Sequence, residues 1–280
     1  MVNGEHVLKF YESLPFNLKR DLNYFLPENE LNYELPGLMS ICKSHDYVID
    51  IGCGPALLLN SIARHLANSP TDFLGIDFNP VALSHAQNYA KFYGLKSRFL
   101  LKDISILDER DFPKSGKVFI MSNGVYHHLV EPLNQLQRTL ALLDPSVRLS
   151  FLFGFYHTPG REVIMTHFRK LKEKGYSVRK LRFEFNQLRG VSEDSLQDES
   201  WFQDQVNHPL EHSYGLAEII AVFAKFGFHI KKCSLDEFSG SKESDLLQIE
   251  GESHELAKKA LKERRFLPGY VSALFVRSIP

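Results

Sequence analysis

The chain lacks the residues for a disulfide framework or a cysteine-based zinc cluster. It has three cysteines, Cys42, Cys53 and Cys233, an odd number in no paired spacing. That usage argues against both and fits a reducing, cytoplasmic setting. It also has no surplus of either charge: 33 basic residues face 34 acidic ones, for a net charge of −1. A nucleic-acid footprint needs a clustered basic surface, so no nucleic-acid partner is expected. No apolar run reaches the roughly 18 residues of a membrane span, and residues 1–6 lack the basic start and apolar stretch of a signal peptide. Tryptophan occurs once, as Trp201. No internal repeat or low-complexity tract breaks the chain.

With 280 residues, 44% of them hydrophobic, the sequence can bury the core of one large α/β domain. Residues 1–46 carry short helical patterns broken at Pro15, Pro27 and Pro36. From residue 47 the pattern alternates. Strands are expected over 47–51, 72–77, 97–101, 117–122 and 147–154, and helices over 56–67, 80–93 and 132–143. Such alternation means a parallel sheet with crossover helices. Residues 155–213 are richer in charge and aromatics and read as a helical lid inserted over an acceptor pocket. A helix over 214–226, a strand over 228–235, a loop over 239–252, a helix over 254–265 and a strand over 270–278 follow. The division is thus a cap (1–46), a core (47–154), a lid (155–213) and a closing unit (214–280), in one domain over 1–280.

The densest chemistry lies in the first strand and the turn after it, Val48-Ile49-Asp50-Ile51-Gly52-Cys53-Gly54-Pro55-Ala56. An apolar run ends in an acid, two glycines follow one residue apart, and a helical pattern begins. Glycine accepts backbone angles closed to other residues and lets a ligand lie against the main chain. At the carboxyl end of a parallel strand, this is where open α/β sheets bind nucleotide-like ligands. A nicotinamide fingerprint wants a third glycine where Leu57 stands, and Asp50 would repel a pyrophosphate. A cationic ligand with an amino-acid portion would instead favour Asp50. Further acids and amides follow at the next strand ends. Asp77 can accept two ribose hydroxyls, Asp103 can accept from an adenine amino group while Ile104 packs on the ring, and Asn123 begins the run Asn123-Gly124-Val125-Tyr126-His127-His128.

Taken together, Asp50–Ala56, Gly75–Asp77, Asp103 and Asn123–Leu129 resemble the ordered motifs of class I S-adenosylmethionine-dependent methyltransferases. The resemblance covers roughly residues 47–154. It implies a Rossmann-like, seven-stranded sheet, mostly parallel with an antiparallel last strand and helices on both faces. It also implies S-adenosylmethionine as cofactor and S-adenosylhomocysteine as product. Gly52 and Gly54 would lie under the methionine part, Asp77 at the ribose, Phe78 beside the adenine, Asp103 at its amino group and Asn123 near the sulfonium. Ala56 departs from the pattern, in which a third glycine is common. Outside the core, Phe10-Tyr11-Glu12 with Pro15-Phe16, and Trp201-Phe202-x-Asp204-Gln205 with His208-Pro209-x-Glu211, resemble a bacterial, type 12-like subgroup of these enzymes.

The resemblance implies a methyltransferase that acts by in-line displacement on an oxygen or nitrogen of a small-molecule acceptor, with a peptide or protein as the alternative. A cofactor-binding sensor or scaffold without catalysis, and a nicotinamide-dependent oxidoreductase, are the rivals of another class. His127 and His128 are candidate general bases, since an imidazole titrates near neutral pH, and each also suits a packing role. Tyr11, His208 and Glu211 are candidate acceptor contacts. For His208 and Glu211 the alternative is a network capping the helix that follows. His208-x-x-Glu211-His212 matches the string of an inverted zinc-peptidase motif, but Pro209 biases His208 out of a helix. No metal is expected.

Overall fold

The computed structural model describes residues 7, 9, 11, 37–156, 160–189, 208, 210–233 and 270–277. The expectations for residues 12–36, 239–252 and 254–265, and for Trp201, fall outside these residues. Seven strands form one sheet: β1 (Tyr47–Ile51), β2 (Asp72–Asp77), β3 (Arg98–Leu101), β4 (Lys117–Asn123), β5 (Arg148–Tyr156), β6 (His229–Cys233) and β7 (Tyr270–Arg277). Their order is β3-β2-β1-β4-β5-β7-β6. The first five run parallel, and β7 pairs antiparallel with both β5 and β6. The helices are α1 (Leu38–Lys43), α2 (Leu57–His65), α3 (Pro80–Phe92), α4 (Pro132–Ala141), α5 (Gly160–Glu173), α6 (Val178–Arg189) and α7 (Leu216–Ala224).

Central parallel strands must hide both faces, and their sequences are apolar on both. Along β1, Val48 joins Phe73, Phe119, Met121 and Leu152 in one core, under α1 and α2. Ile49 and Ile51 point the other way and join Ile120, Phe151, Phe153 and Phe275, under α4 and α7. Phe223 of α7 lies flat on Phe275 at 3.8 Å between ring centroids. The strand order reverses between β1 and β4. Their carboxyl ends therefore flank the switch point, where the crossovers leave in opposite directions and a crevice opens.

Local chemistry sets where the helices start. The Asn79 side chain accepts from the N–H groups of Val81 and Ala82, and Pro80 occupies the first turn of α3, where a missing N–H is harmless. The helix expected from residue 56 begins at Leu57, because Ala56 is left-handed with φ 54. It is the one non-glycine residue with positive φ among those described. That conformation costs a residue with a Cβ about 1–2 kcal/mol. The Ala56 methyl is fully buried, which offsets about 0.8 kcal/mol of it. Strand β5 continues through Tyr156, so the chain leaves the sheet two residues after the expected end. Helices α5 and α6 then lie side by side, with His167 and Glu184 3.7 Å apart.

Candidate active site

The turn after β1 is tied to the neighbouring strand by its own backbone. The N–H groups of Gly52 and Cys53 both donate to the Ile76 carbonyl, at 2.7 and 3.1 Å. Gly52 and Gly54 are left-handed, at φ 73 and 52. At Gly52 a side chain is excluded by space as well: a Cβ there would stand 2.3 Å from a methyl of Val125. At Gly54 a Cβ would meet nothing within 4 Å, so the turn presents bare main chain to an open space.

Asp77 closes the turn from β2. Its Oδ2 accepts from the Gly54 N–H at 2.7 Å and its Oδ1 from the Asn79 N–H at 2.8 Å. The Phe78 N–H also bonds this carboxylate, and since a carboxylate accepts about four hydrogen bonds, acceptor capacity remains for a ligand. Burial pushes the proton affinity of Asp77 up, and the N–H groups around it push back. Asp50, on β1, is 6% exposed and Asp77 7%. Burial first, and the Asp77 charge second, raise the Asp50 pKa to about 8. Two buried acids with no cation beside them among the described residues suit a positively charged ligand better than a phosphate.

The remaining cofactor candidates stand at the ends of the next strands. Phe78 follows Asp77 and is half-buried. Asp103 caps a short turn, Ile104–Ile106, by accepting from the Ser105 N–H at 2.7 Å, a local role that the sequence reading did not include. Ile104 is buried, and its carbonyl accepts from the Gln135 amide at 2.9 Å. Asn123 ends β4 with its Oδ1 buried and without a hydrogen-bond partner, a polar atom for which a ligand is a fitting partner.

Val125, which fills the space beside Gly52, leads into the short turn Tyr126–His128. His127 and His128 are 1% and 5% exposed. The His127 ring packs on Tyr156 with centroids 4.1 Å apart, and the His128 ring on His208 at 3.8 Å. Tyr11 touches both rings of the second pair, with centroids 6.0 Å from His128 and 5.4 Å from His208. The His128 Nδ1 lies 3.1 Å from the Leu210 carbonyl oxygen. A carbonyl can only accept, so Nδ1 carries the proton in this contact. The His208 Nδ1 contacts the same carbonyl. Backbone bonds from the His212 N–H to the His127 carbonyl and from the Tyr214 N–H to the Tyr156 carbonyl, at 3.0 and 2.9 Å, hold this segment against the Tyr126–His128 turn and the end of β5.

Three of the expected acceptor and base residues, Tyr11, His128 and His208, thus form one cluster of rings in tilted and edge-on contact. Glu211 instead acts on Lys172 of α5, where its charge opposes the lowering of the lysine pKa by burial. The helix that follows has Gly215 as its N-cap residue, with no side-chain capping bond from that residue. The Leu210 carbonyl, Tyr156 and Val125 have structural roles that the sequence reading missed. Among the described residues no group of three or more His, Cys, Asp or Glu is placed to hold a metal.

Residues 42–179 match the family model described as a methyltransferase domain. A ubiquinone biosynthesis O-methyltransferase of Coxiella burnetii is 28% identical over 105 residues, covering 38% of this chain and 42% of that protein. The chain therefore spans well under half the length of that relative. A carboxy-S-adenosyl-L-methionine synthase of Nautilia profundicola is 25% identical over 211 residues, covering 71% of this chain and 81% of that protein. Among solved structures, PKMT2 from Rickettsia typhi aligns with a TM-score of 0.61 at 14% identity, over 92% of this chain and 57% of that one. That likeness is one of fold.

Proposed function

We propose, from the match of residues 42–179 to a methyltransferase-domain family, that this protein transfers a methyl group from S-adenosylmethionine to an oxygen or nitrogen of a small-molecule acceptor. The observation that carries the reading is the Gly52–Gly54 turn, open above Gly54 and fastened to Asp77. It offers main chain, two acidic side chains and an orphaned amide oxygen to a cationic amino-acid nucleoside. When bound there, S-adenosylmethionine supplies a methyl carbon made electrophilic by its sulfonium.

The residues then have separable tasks. Gly54 and its neighbours let the amino-acid portion lie on the backbone. The spare lone pairs of Asp77 hold the ribose hydroxyls, Phe78 and Ile104 flank the adenine, and Asp103 takes its amino group through the oxygen that does not cap the Ile104 turn. Asn123 faces the methionine end. Most of the rate in such a displacement comes from alignment and from stripping water off the nucleophile. The ring cluster of Tyr11, His128 and His208 supplies an aromatic wall for the acceptor. Where the acceptor arrives protonated, His128 is the imidazole that receives its proton, with its Nδ1 beside the Leu210 carbonyl.

Transfer of labelled methyl from S-adenosylmethionine to small molecules of a cell extract tests this reading. Label in the small-molecule fraction is expected. Label confined to protein would assign a peptide acceptor, and donor binding with no label in any fraction would leave a cofactor-binding sensor.

A further inference from the structure

Asp50 and Asp77 are adjacent in space, on neighbouring strands paired at Asp50 and Gly75, and both are more than nine-tenths buried. They are unequal. Asp77 accepts two backbone N–H bonds, which favour its ionised form. The influences on Asp50 are burial and the Asp77 charge, with no cation among them. On its other side, β4 places Met121 in register with it, and the turn above contributes the Cys53 thiol, which burial and the two acids hold strongly protonated. Two such carboxylates cannot both ionise cheaply, so the poorly bonded one keeps its proton.

We propose that donor binding is proton-coupled: the cationic ligand takes the place of a proton on Asp50, which leaves to solvent as the Asp50–Asp77 pair gains its second negative charge. This rests on the assignment of S-adenosylmethionine to the turn and adds a regulatory property to it. The free site carries one negative charge and the loaded site two, matched to the positive charge brought in. Donor affinity therefore rises with pH up to the Asp50 titration near about 8. Below that point the dissociation constant falls by about tenfold per pH unit, the slope of one coupled proton. The ligand's own groups and the nearby histidines also titrate, so the Asp50 contribution is the part that an uncharged isostere removes.

Isothermal titration of the full chain with S-adenosylmethionine, in two buffers of different ionisation heat, counts the protons released. At about pH 7 the wild type is expected to release close to one proton more than Asp50→Asn, and the variant to lose the tenfold-per-unit slope. An infrared difference spectrum of the wild type reads the same event without a variant, as loss of a protonated-carboxyl band on binding. Binding with equal proton release in both proteins, or with no carboxyl band lost, overturns the proposal. No S-adenosylmethionine binding at any pH overturns the donor assignment, and the proposal with it.

Discussion

The backbone N–H of Gly54 donates to the Asp77 carboxylate across 2.7 Å, so the turn after β1 and the end of β2 form one rigid unit. Asp77 thus shapes the main chain on which a ligand would lie and also offers it hydrogen-bond acceptors. Asp77→Ala removes both. Donor affinity is expected to fall by about tenfold or more, and the melting temperature by several degrees, since the buried Asn79 N–H loses its partner at about 1–3 kcal/mol and the part-buried Gly54 N–H loses its own. Unchanged affinity in calorimetry would remove Asp77 from the site.

Gly52→Ala tests the close approach between β1 and β4. A methyl group there meets Val125 at 2.3 Å on a backbone with φ 73. Left-handed strain and overpacking each cost about 1–3 kcal/mol. Adding Val125→Ala is expected to recover the steric part and leave the backbone part, giving a stability between the wild type and the single variant. Equal stability of the single and double variants would contradict the contact.

His128 separates binding from turnover. His128→Ala is expected to leave donor affinity within about twofold, since no donor contact is given to this ring, while labelled methyl transfer drops about tenfold or more, the lower edge of general-base effects. His208→Ala, which removes the ring stacked on it, should weaken acceptor saturation more than it lowers the maximal rate. Full transfer activity in His128→Ala would restrict this histidine to packing.

Asp50 also makes stability pH-dependent. Its folded pKa is raised, to about 8, so its contribution is fully present below the unfolded value, about 3.9, and is lost as pH rises through the folded value. Asp50→Asn is therefore expected to raise the melting temperature of the free protein more at about pH 9 than at about pH 5. An increment that is flat or reversed with pH would mean that Asp50 is ionised in the free protein.

The elements that carry short-range signals were legible from residue types. Asp50, Gly52, Gly54 and Asp77 could be placed at strand ends because apolar runs, an acid and glycine spacing lie within a few residues of one another. The sheet and its antiparallel last strand follow the family resemblance. Three features were less legible because they depend on distant neighbours or on backbone atoms. Val125 meets Gly52 because β4 lies beside β1, which no local pattern encodes. The Leu210 carbonyl that orients His128 is a main-chain atom with no sequence signature. Glu211 acts on Lys172, on a helix far away in sequence. The helix expected at residue 56 starts one residue later because Ala56 adopts a conformation usually left to glycine.

Equilibrium binding of S-adenosylmethionine and of a nicotinamide dinucleotide to the same preparation separates the two ligands that the glycine turn after β1 could hold. Saturable binding of S-adenosylmethionine, competition by S-adenosylhomocysteine, weakening of both by about tenfold or more in Asp77→Ala and no nicotinamide binding are expected. Tight nicotinamide binding with none of S-adenosylmethionine would contradict the donor assignment.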